Sequence, residues 1–331
     1  MNTIEQANKV FLENWGKEVY YGRCIFLSWY CERGTCKFCF RSTIHHKVKH
    51  AKTAKRSMAS ILVEAVLAKN LGWNIEFLTG GYGIYPFEEL LEIIRNVNKI
   101  IGRKVWVNLG AFNAEQLERL KPYVEGICAS IETVEEKLHD ELCPDKPIQP
   151  YSDMLKIAKE MGFKTSIAII IGLGEKNIEM LHKFIEEHQL DRITFYALKP
   201  VKGTIFENKE GPTSEYYAEW IAKTRIRFPK LDIIAGTTAR RYKEAELLFK
   251  TGANAITKFP ATKLFGTEQA RVVEAGAEQA GRVFKGTLTV LPDIDWGAEV
   301  DKLELDDKLK EQLKEKLSQY LKSMENNIND K

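Results

Sequence analysis

Short apolar runs alternate along the chain with longer stretches of helical periodicity. Runs of this length, bounded by turn residues, predict buried strands, and the longer amphipathic stretches predict helices. Strands are predicted at residues 24–30, 74–79, 104–109, 126–132, 164–171, 192–196, 231–234 and 253–258. Helices are predicted between them at residues 56–71, 86–100, 113–120, 151–161, 178–188, 214–227 and 239–250.

This alternation predicts an α/β fold of parallel βαβ units. Eight repeats within about 240 residues match a (β/α)8 TIM-type barrel. A helix at 4–15 precedes the barrel, and a charged helix at 305–324 follows it and is expected to pack on the outside. We therefore expect an N-terminal helical segment (1–22), a barrel (23–285) and a C-terminal helical extension (286–331).

Composition and charge narrow the class of protein. The chain has 331 residues, of which 44% are hydrophobic and 29% charged, as in ordinary soluble proteins. A diffuse net charge of +3 argues against a nucleic-acid partner. The N-terminus lacks an apolar signal region, and the longest apolar run, 167–171, is far shorter than a membrane span. We expect a cytoplasmic protein without a membrane partner, in which six cysteines indicate metal or redox chemistry.

The strongest chemical signal is a cluster of three cysteines, Cys31, Cys36 and Cys39, directly after the first predicted strand. Thiolates at such spacings hold iron–sulfur clusters, and three ligands leave one iron of a [4Fe–4S] cube open. Zinc is the alternative, because His45 or His46 could complete a Cys3His site. Structural zinc usually staples small domains, whereas this loop opens a large barrel.

The run CERGTCKFC resembles the cluster loop of the radical S-adenosylmethionine (SAM) superfamily. The usual family spacing is x3 then x2, whereas this chain has x4 then x2, which changes the loop but not the number of ligands. Phe38 fits the aromatic residue often found before the third cysteine, although a core-facing aromatic would look the same. The resemblance extends over residues 24–267, and the order of its landmarks is closest to the biotin synthase branch.

Two glycine-rich segments belong to this resemblance. Thr79, Gly80 and Gly81 end the second strand, where the family's backbone meets the amino group of SAM. A tight turn without function would use the same glycines. Gly172 and Gly174 end the fifth strand, where relatives place a segment near the adenosine of SAM.

The resemblance implies a specific activity. The open iron would bind SAM, and an electron from the cluster would cleave SAM to methionine and a 5′-deoxyadenosyl radical that abstracts hydrogen from the substrate. The implied partners are SAM, an electron donor such as ferredoxin, and a substrate that is a small molecule or is bound to a lipoyl carrier protein. The cofactor performs the difficult chemistry, and the barrel positions groups and excludes water.

Side chains alternate along the fourth strand, so Cys128, Ser130 and Glu132 share one face, which we expect to point into the barrel. Glu132 ends the strand and matches an acidic position that contacts the SAM ribose in relatives. A carboxylate that caps the loop is the alternative. Ser130 is expected to face the cofactor with it.

Cys128 and Cys143 are candidate ligands of a second cluster, because both could approach a common point above strand four. Cys24 is expected at the start of strand one, about 20 Å from the other end of that strand, and is interpreted as structural. The second-cluster positions of biotin synthase itself fall at Leu78, Trp106, Ser166 and Asp232, which cannot supply its three cysteines and one arginine.

Three functional hypotheses follow. The first is a sulfur-inserting enzyme resembling archaeal lipoyl synthases, which would act on an octanoyl chain. The second is a one-cluster enzyme resembling the iron-hydrogenase cofactor and methylornithine enzymes, in which Cys128 and Cys143 are incidental. The third is a non-catalytic barrel stapled by zinc.

Overall fold

The computed structural model describes residues 1–48 and 50–329. The strands are β1 Glu18–Phe26, β2 Asn74–Thr79, β3 Val105–Asn108, β4 Val124–Glu132, β5 Lys164–Ile171, β6 Arg192–Ala197, β7 Asp232–Gly236, β8 Ala255–Thr257 and β9 Val283–Lys285. The helices are α1 Thr3–Trp15, α2 Phe40–Ile44, α3 Met58–Asn70, α4 Phe87–Ile101, α5 Ala114–Leu120, α6 Glu136–Leu142, α7 Gln149–Glu160, α8 Ile178–Glu187, α9 Ser214–Arg227, α10 Ala245–Lys250, α11 Glu268–Gln279, α12 Trp296–Asp301 and α13 Asp307–Asn329.

The first eight strands form a closed parallel barrel with helices between the strands. Each strand from β2 to β7 pairs with the next, and β1 closes the barrel by pairing with both β8 and β2. This confirms the predicted (β/α)8 TIM-type fold. The short strand β9 pairs in parallel with the start of β1, outside the eight-stranded ring. None of the described helices is both long and apolar enough to cross a membrane.

The first strand begins earlier than predicted, at Glu18, and residues 18–22 of the expected N-terminal segment therefore lie in the barrel. The prediction followed the apolar run at 24–30, but the chain leaves the sheet inside that run. Ser28 forms an isolated antiparallel bridge with Lys55 instead. Cys24 thus lies near the end of β1, not at its start, and the prediction of its position was wrong.

Most helices agree with the predicted ranges within about two residues, which is the usual uncertainty at helix ends. The predicted helix at 239–250 is shorter, because residues 242–244 form a 3-10 turn before α10. Helix α11, which follows the last barrel strand, was not predicted. Helix α13 packs against α3 and buries Leu313, Leu317 and Met324, which confirms that the tail packs on the outside.

The side chains of the strands divide into an outer and an inner set. The outer set packs against the helices and forms the main core. The inner set includes Cys24, Phe77, Trp106, Cys128 and Ala168, which form a separate cluster inside the barrel. A filled interior of this kind makes the barrel a packed core rather than a pore, so chemistry is confined to its open end.

Candidate active site

A cavity of about 200 Å³ opens at the carboxyl ends of the barrel strands, where enzymes of this fold place their chemistry. The loop after β1 and the ends of several strands form its wall, and Phe26, Phe77 and Tyr196 give it an aromatic lining. Nine of the predicted site residues line it: Cys31, Cys36, Phe38, Cys39, Thr79, Gly80, Gly81, Ser130 and Glu132. The fold thus gathers segments that lie up to about a hundred residues apart in sequence.

The loop with the three cysteines is held by backbone hydrogen bonds to itself and to the segment after β2. The amide of Tyr82 donates to Sγ of Cys31 at 3.4 Å, and the amide of Glu32 donates to the Tyr82 carbonyl at 3.0 Å. The amide of Cys39 donates to the Cys36 carbonyl at 3.0 Å. These bonds keep all three thiols at the cavity wall.

Cys143 lies beside this loop. The amide of Lys37 donates to the Leu142 carbonyl at 2.9 Å and brings the end of α6 against the cysteine loop. Cys143 packs in one group with Cys36, and its thiol lowers the pKa of Cys36, whereas burial raises the pKa of Cys39. Cys143 therefore belongs to the surroundings of the loop cysteines.

Gly81 has a packing role that is visible in the geometry. A Cβ atom at Gly81 would lie 1.5 Å from the Tyr30 carbonyl oxygen and 2.8 Å from Cα of Cys31. A Cβ atom at the neighbouring Gly80 would lie 3.6 Å from its nearest neighbour, an ordinary contact. Gly81 thus allows the cysteine loop to approach the end of β2. Its predicted contact with the SAM amino group stays a prediction.

The end of β4 presents Ser130 and Glu132 to the cavity, as the alternation along that strand predicted. The side-chain Nδ2 of Asn108 donates to Oγ of Ser130 at 2.8 Å. Glu132 has a φ of 68°, in the left-handed region, and its Oε1 accepts from Nζ of Lys146 at 2.7 Å. Burial alone would lower the pKa of Lys146, but the Glu132 carboxylate, with a smaller contribution from Tyr151, raises it.

Gly172 and Gly174 lie apart from the residues that line the cavity. Their amides donate to the Glu175 carboxylate at 2.7 Å and 3.1 Å. Both glycines have positive φ, and a Cβ atom at Gly172 would lie 2.8 Å from Pro212. The turn itself accounts for these glycines, and their expected role near the adenosine stays a prediction.

Comparisons with known proteins agree with this geometry. The family described as "Radical SAM superfamily" matches residues 27–187, and the "Biotin and Thiamin Synthesis associated domain" matches residues 194–278. Together they cover the barrel strands from β2 to β8, except for the first two residues of β6. Residues 27–187 of this chain form a domain of the radical SAM superfamily.

Three similar proteins show how far the likeness extends. An uncharacterized protein of Methanocaldococcus jannaschii is 40% identical over 300 residues, 88% of this chain and 82% of that protein. A biotin synthase of Methanococcus vannielii is 29% identical over 178 residues, 53% of this chain and 54% of that protein. The crystal structure of methylornithine synthase superposes with a TM-score of 0.67 at 21% identity, covering 77% of this chain and 76% of that one. That structural likeness shows a shared fold.

The radical SAM family implies a [4Fe–4S] cluster and SAM, and the cavity offers suitable donors. Among residues 1–48 and 50–329, no three Cys, His, Asp or Glu side chains lie close enough to share one metal ion. A cube is wider than an ion and binds its thiolates at separate corners. Three thiols that line one cavity, with Arg33 also on the lining, therefore fit an anionic cube.

The histidines of the zinc alternative have other surroundings. Nε2 of His45 lies 3.0 Å from the Tyr30 hydroxyl and 3.1 Å from the Glu32 carbonyl, and its ring stacks on Tyr30. His46 is exposed. Nε2 of His45 thus already has two hydrogen-bond partners, on either side of Cys31 in the sequence.

The predicted convergence of Cys128 and Cys143 is wrong. Cys128 lies inside the barrel with Cys24 and Trp106, whereas Cys143 packs with Leu173 and other residues around the cysteine loop. Its position in β4 points the Cys128 side chain into the barrel interior, and from there it does not reach the residues that surround the cysteine loop. Sequence reasoning also missed the neighbour of Cys128, because Cys24 was expected at the far end of β1.

Both inner thiols are buried. Burial raises the pKa of Cys24 to about 11 and raises the pKa of Cys128 further. Sγ of Cys24 lies 3.2 Å from the Thr257 hydroxyl. Since a metal binds the thiolate form, the apolar surroundings of this pair suit packing better than ligation.

Sequence reasoning missed all four cationic residues of the cavity lining: Arg33, Arg41, Lys146 and Lys258. Isolated basic residues in loops are usually solvated, so nothing local distinguished them. Position offered one usable signal. Lys258 ends the eighth predicted strand, and strand ends face the active site in this fold.

Proposed function

We propose that this chain is a one-cluster radical SAM enzyme that abstracts hydrogen from a small molecule and rearranges or fragments it. The proposal is supported by one observation above all. Cys31, Cys36 and Cys39 line the same cavity as Thr79 and Glu132, whereas the two cysteines of the second-cluster hypothesis lie in separate packing groups.

The residues of the chain would divide the work as follows. The three loop cysteines would hold the cluster, which supplies the electron that cleaves SAM. Glu132 would accept hydrogen bonds from the ribose hydroxyls of SAM through Oε2. Lys146 already occupies Oε1, neutralises the carboxylate and fixes its orientation. The aromatic lining would exclude water from the reacting atoms.

A direct test measures 5′-deoxyadenosine formed from SAM by anaerobically reconstituted protein with dithionite as reductant. We expect Cys31→Ala, Cys36→Ala and Cys39→Ala each to abolish this product, because three thiolates are the minimum that holds the cube. Cys128→Ala is the matched control, since it removes a buried cysteine outside the loop and should retain cleavage. Undiminished cleavage by any one loop variant would remove that cysteine from the ligand set.

Sulfur insertion, with an octanoyl chain on a lipoyl carrier protein as substrate, is the second candidate. The matches to biotin synthases and to the biotin and thiamin synthesis domain favour it. It needs a sulfur source besides the loop cluster. Sulfur in the product of the Cys24→Ala, Cys128→Ala and Cys143→Ala triple variant would show that none of these cysteines holds that source.

A further inference from the structure

The side chains that line the cavity include more cations than carboxylates. Four described residues of the lining are cationic, Arg33, Arg41, Lys146 and Lys258, and one, Glu132, is acidic. Lys146 forms an ion pair with that carboxylate at 2.7 Å. The other three cations share the cavity without a second carboxylate on its lining.

Arg33 is held within the wall. Its guanidinium lies 3.9 Å from the centroid of the Tyr82 ring, and Nη1 donates to the Tyr151 hydroxyl at 3.0 Å. These aromatic and hydroxyl contacts satisfy much of the group. Arg33 therefore shapes the cavity wall, and the charge available to a ligand comes from Arg41 and Lys258.

Lys258 has a backbone conformation that is unusual for a residue other than glycine. It follows β8 directly and has a φ of 65°, which non-glycine residues adopt when their surroundings impose it. Its Nζ lies 4.2 Å from the centroid of the Tyr196 ring and 6.0 Å from that of Phe26. The residue is accessible from the cavity and forms no ion pair within the described part of the chain.

Arg41 lies beside the same Phe26 ring. Its guanidinium carbon is 5.7 Å from the Phe26 centroid, and one Nη2 donates to the Ser28 carbonyl at 3.2 Å. Its Nε is buried and has no hydrogen-bond partner among the described residues. A buried donor without a partner is costly, so a ligand that accepts its hydrogen would be stabilised there.

Two cations within 6.0 Å of one ring centroid repel each other and attract an anion between them. Arginine binds a carboxylate through parallel hydrogen bonds, and lysine adds a compact positive charge. The adjacent aromatic rings suit an apolar carbon skeleton. The site therefore matches an organic acid better than a bare inorganic anion.

We propose that Lys258 and Arg41 bind a carboxylate of the substrate, which is therefore a small organic acid with apolar carbon beside its acid group. This inference names the substrate class of the proposed function and rests on that function. SAM also carries a carboxylate, but the resemblance to the family assigns that group to the open iron. The experiment below separates the two sources.

The test measures binding of hexanoate and of the neutral hexanamide to the reconstituted full-length protein by isothermal titration. The variants are Lys258→Met, Lys258→Arg and, as a matched control on an exposed loop, Lys202→Met. We expect hexanoate to bind in preference to hexanamide. Lys258→Met should weaken hexanoate binding about tenfold or more, Lys258→Arg should restore most of it, and Lys202→Met should leave it unchanged.

Undetectable hexanoate binding, equal binding of acid and amide, or unchanged binding in Lys258→Met would overturn the proposal. A rise in the KM for SAM in Lys258→Met with hexanoate binding intact would overturn it in favour of the SAM carboxylate. Retained iron content checks that Lys258→Met folds. If the parent protein fails to cleave SAM but Lys258→Met still loses hexanoate, the acid site stands and the radical function fails.

Discussion

Two ends of the barrel hold cations in opposite ways. At the amino-terminal end, Arg192 donates from Nε to Oδ2 of Asp232 at 2.7 Å, and its guanidinium lies 4.0 Å from the Trp106 ring centroid. At the carboxyl-terminal end, Lys258 and Arg41 face a cavity without a carboxylate partner on the protein within the described residues. Basic residues thus form ion pairs within the protein at the amino-terminal end and are available to bind a ligand at the carboxyl-terminal end.

The difference separates structural charges from functional ones. A buried charge is tolerated when it is paired and hydrogen-bonded, as Arg192 is. An unpaired cation at the rim of an active-site cavity is retained at a cost to stability, and a bound anion offsets that cost. Pairing, more than burial or residue type, therefore indicates which charges act on ligands in this barrel.

The largest effect on stability should come from removing the carboxylate of the Arg192–Asp232 ion pair at the amino-terminal end of the barrel. Asp232→Ala leaves Arg192 in the barrel without its carboxylate, and the Arg192 side chain is only 12% exposed. We expect the free energy of unfolding to fall by about 3 kcal/mol, measured by urea denaturation of the reconstituted protein.

Lys258, at the carboxyl-terminal end of the barrel, provides the comparison with Asp232→Ala, because it forms no ion pair within the described residues. Lys258→Met removes no ion pair, so its free energy of unfolding should stay within about 0.5 kcal/mol of the parent. A loss of stability in Lys258→Met as large as that in Asp232→Ala would contradict the division between the two ends.

A smaller effect on stability, with a clear effect on the cluster, is expected at Gly81. Gly81→Ala forces the cysteine loop away from the end of β2, because the new Cβ would overlap the Tyr30 carbonyl. Iron bound per chain after anaerobic reconstitution should fall several-fold. Gly80→Ala is the control, since its Cβ makes only ordinary contacts, and it should bind iron as the parent does. Equal iron in both variants would show that the approach of the loop to β2 is unimportant for the cluster.

Much of the barrel could be predicted because short local sequence patterns determine where its strands and helices lie. Apolar runs and helical periodicity located seven of the barrel strands closely, and alternation along β4 directed Cys128, Ser130 and Glu132 inward. The prediction of β1 failed because its first seven residues, EVYYGRC, mix polar and apolar residues, while the more apolar run at 24–30 leaves the sheet after Phe26. Helix α11 was missed because an alanine-rich amphipathic segment with few large apolar residues gives a weak signal.

The sequence predicted the residues of the site only where a local motif or strand pattern identified them. Spacing in one loop identified the three cysteines, but the partners around them come from distant segments. Lys146 meets Glu132 across the turn after α6, and Cys143 meets Cys36 because of a backbone bond between Lys37 and Leu142. Such contacts depend on tertiary packing, which no local pattern of one sequence specifies.

The central claim is that one iron–sulfur cluster, held by Cys31, Cys36 and Cys39, serves this cavity. The most direct measurement is the iron, sulfide and zinc content of the anaerobically reconstituted protein beside its Cys31/Cys36/Cys39→Ala triple variant. We predict about four irons per chain in the parent and none in the triple variant. Four irons surviving in the triple variant, or zinc without iron in the parent, would contradict the claim.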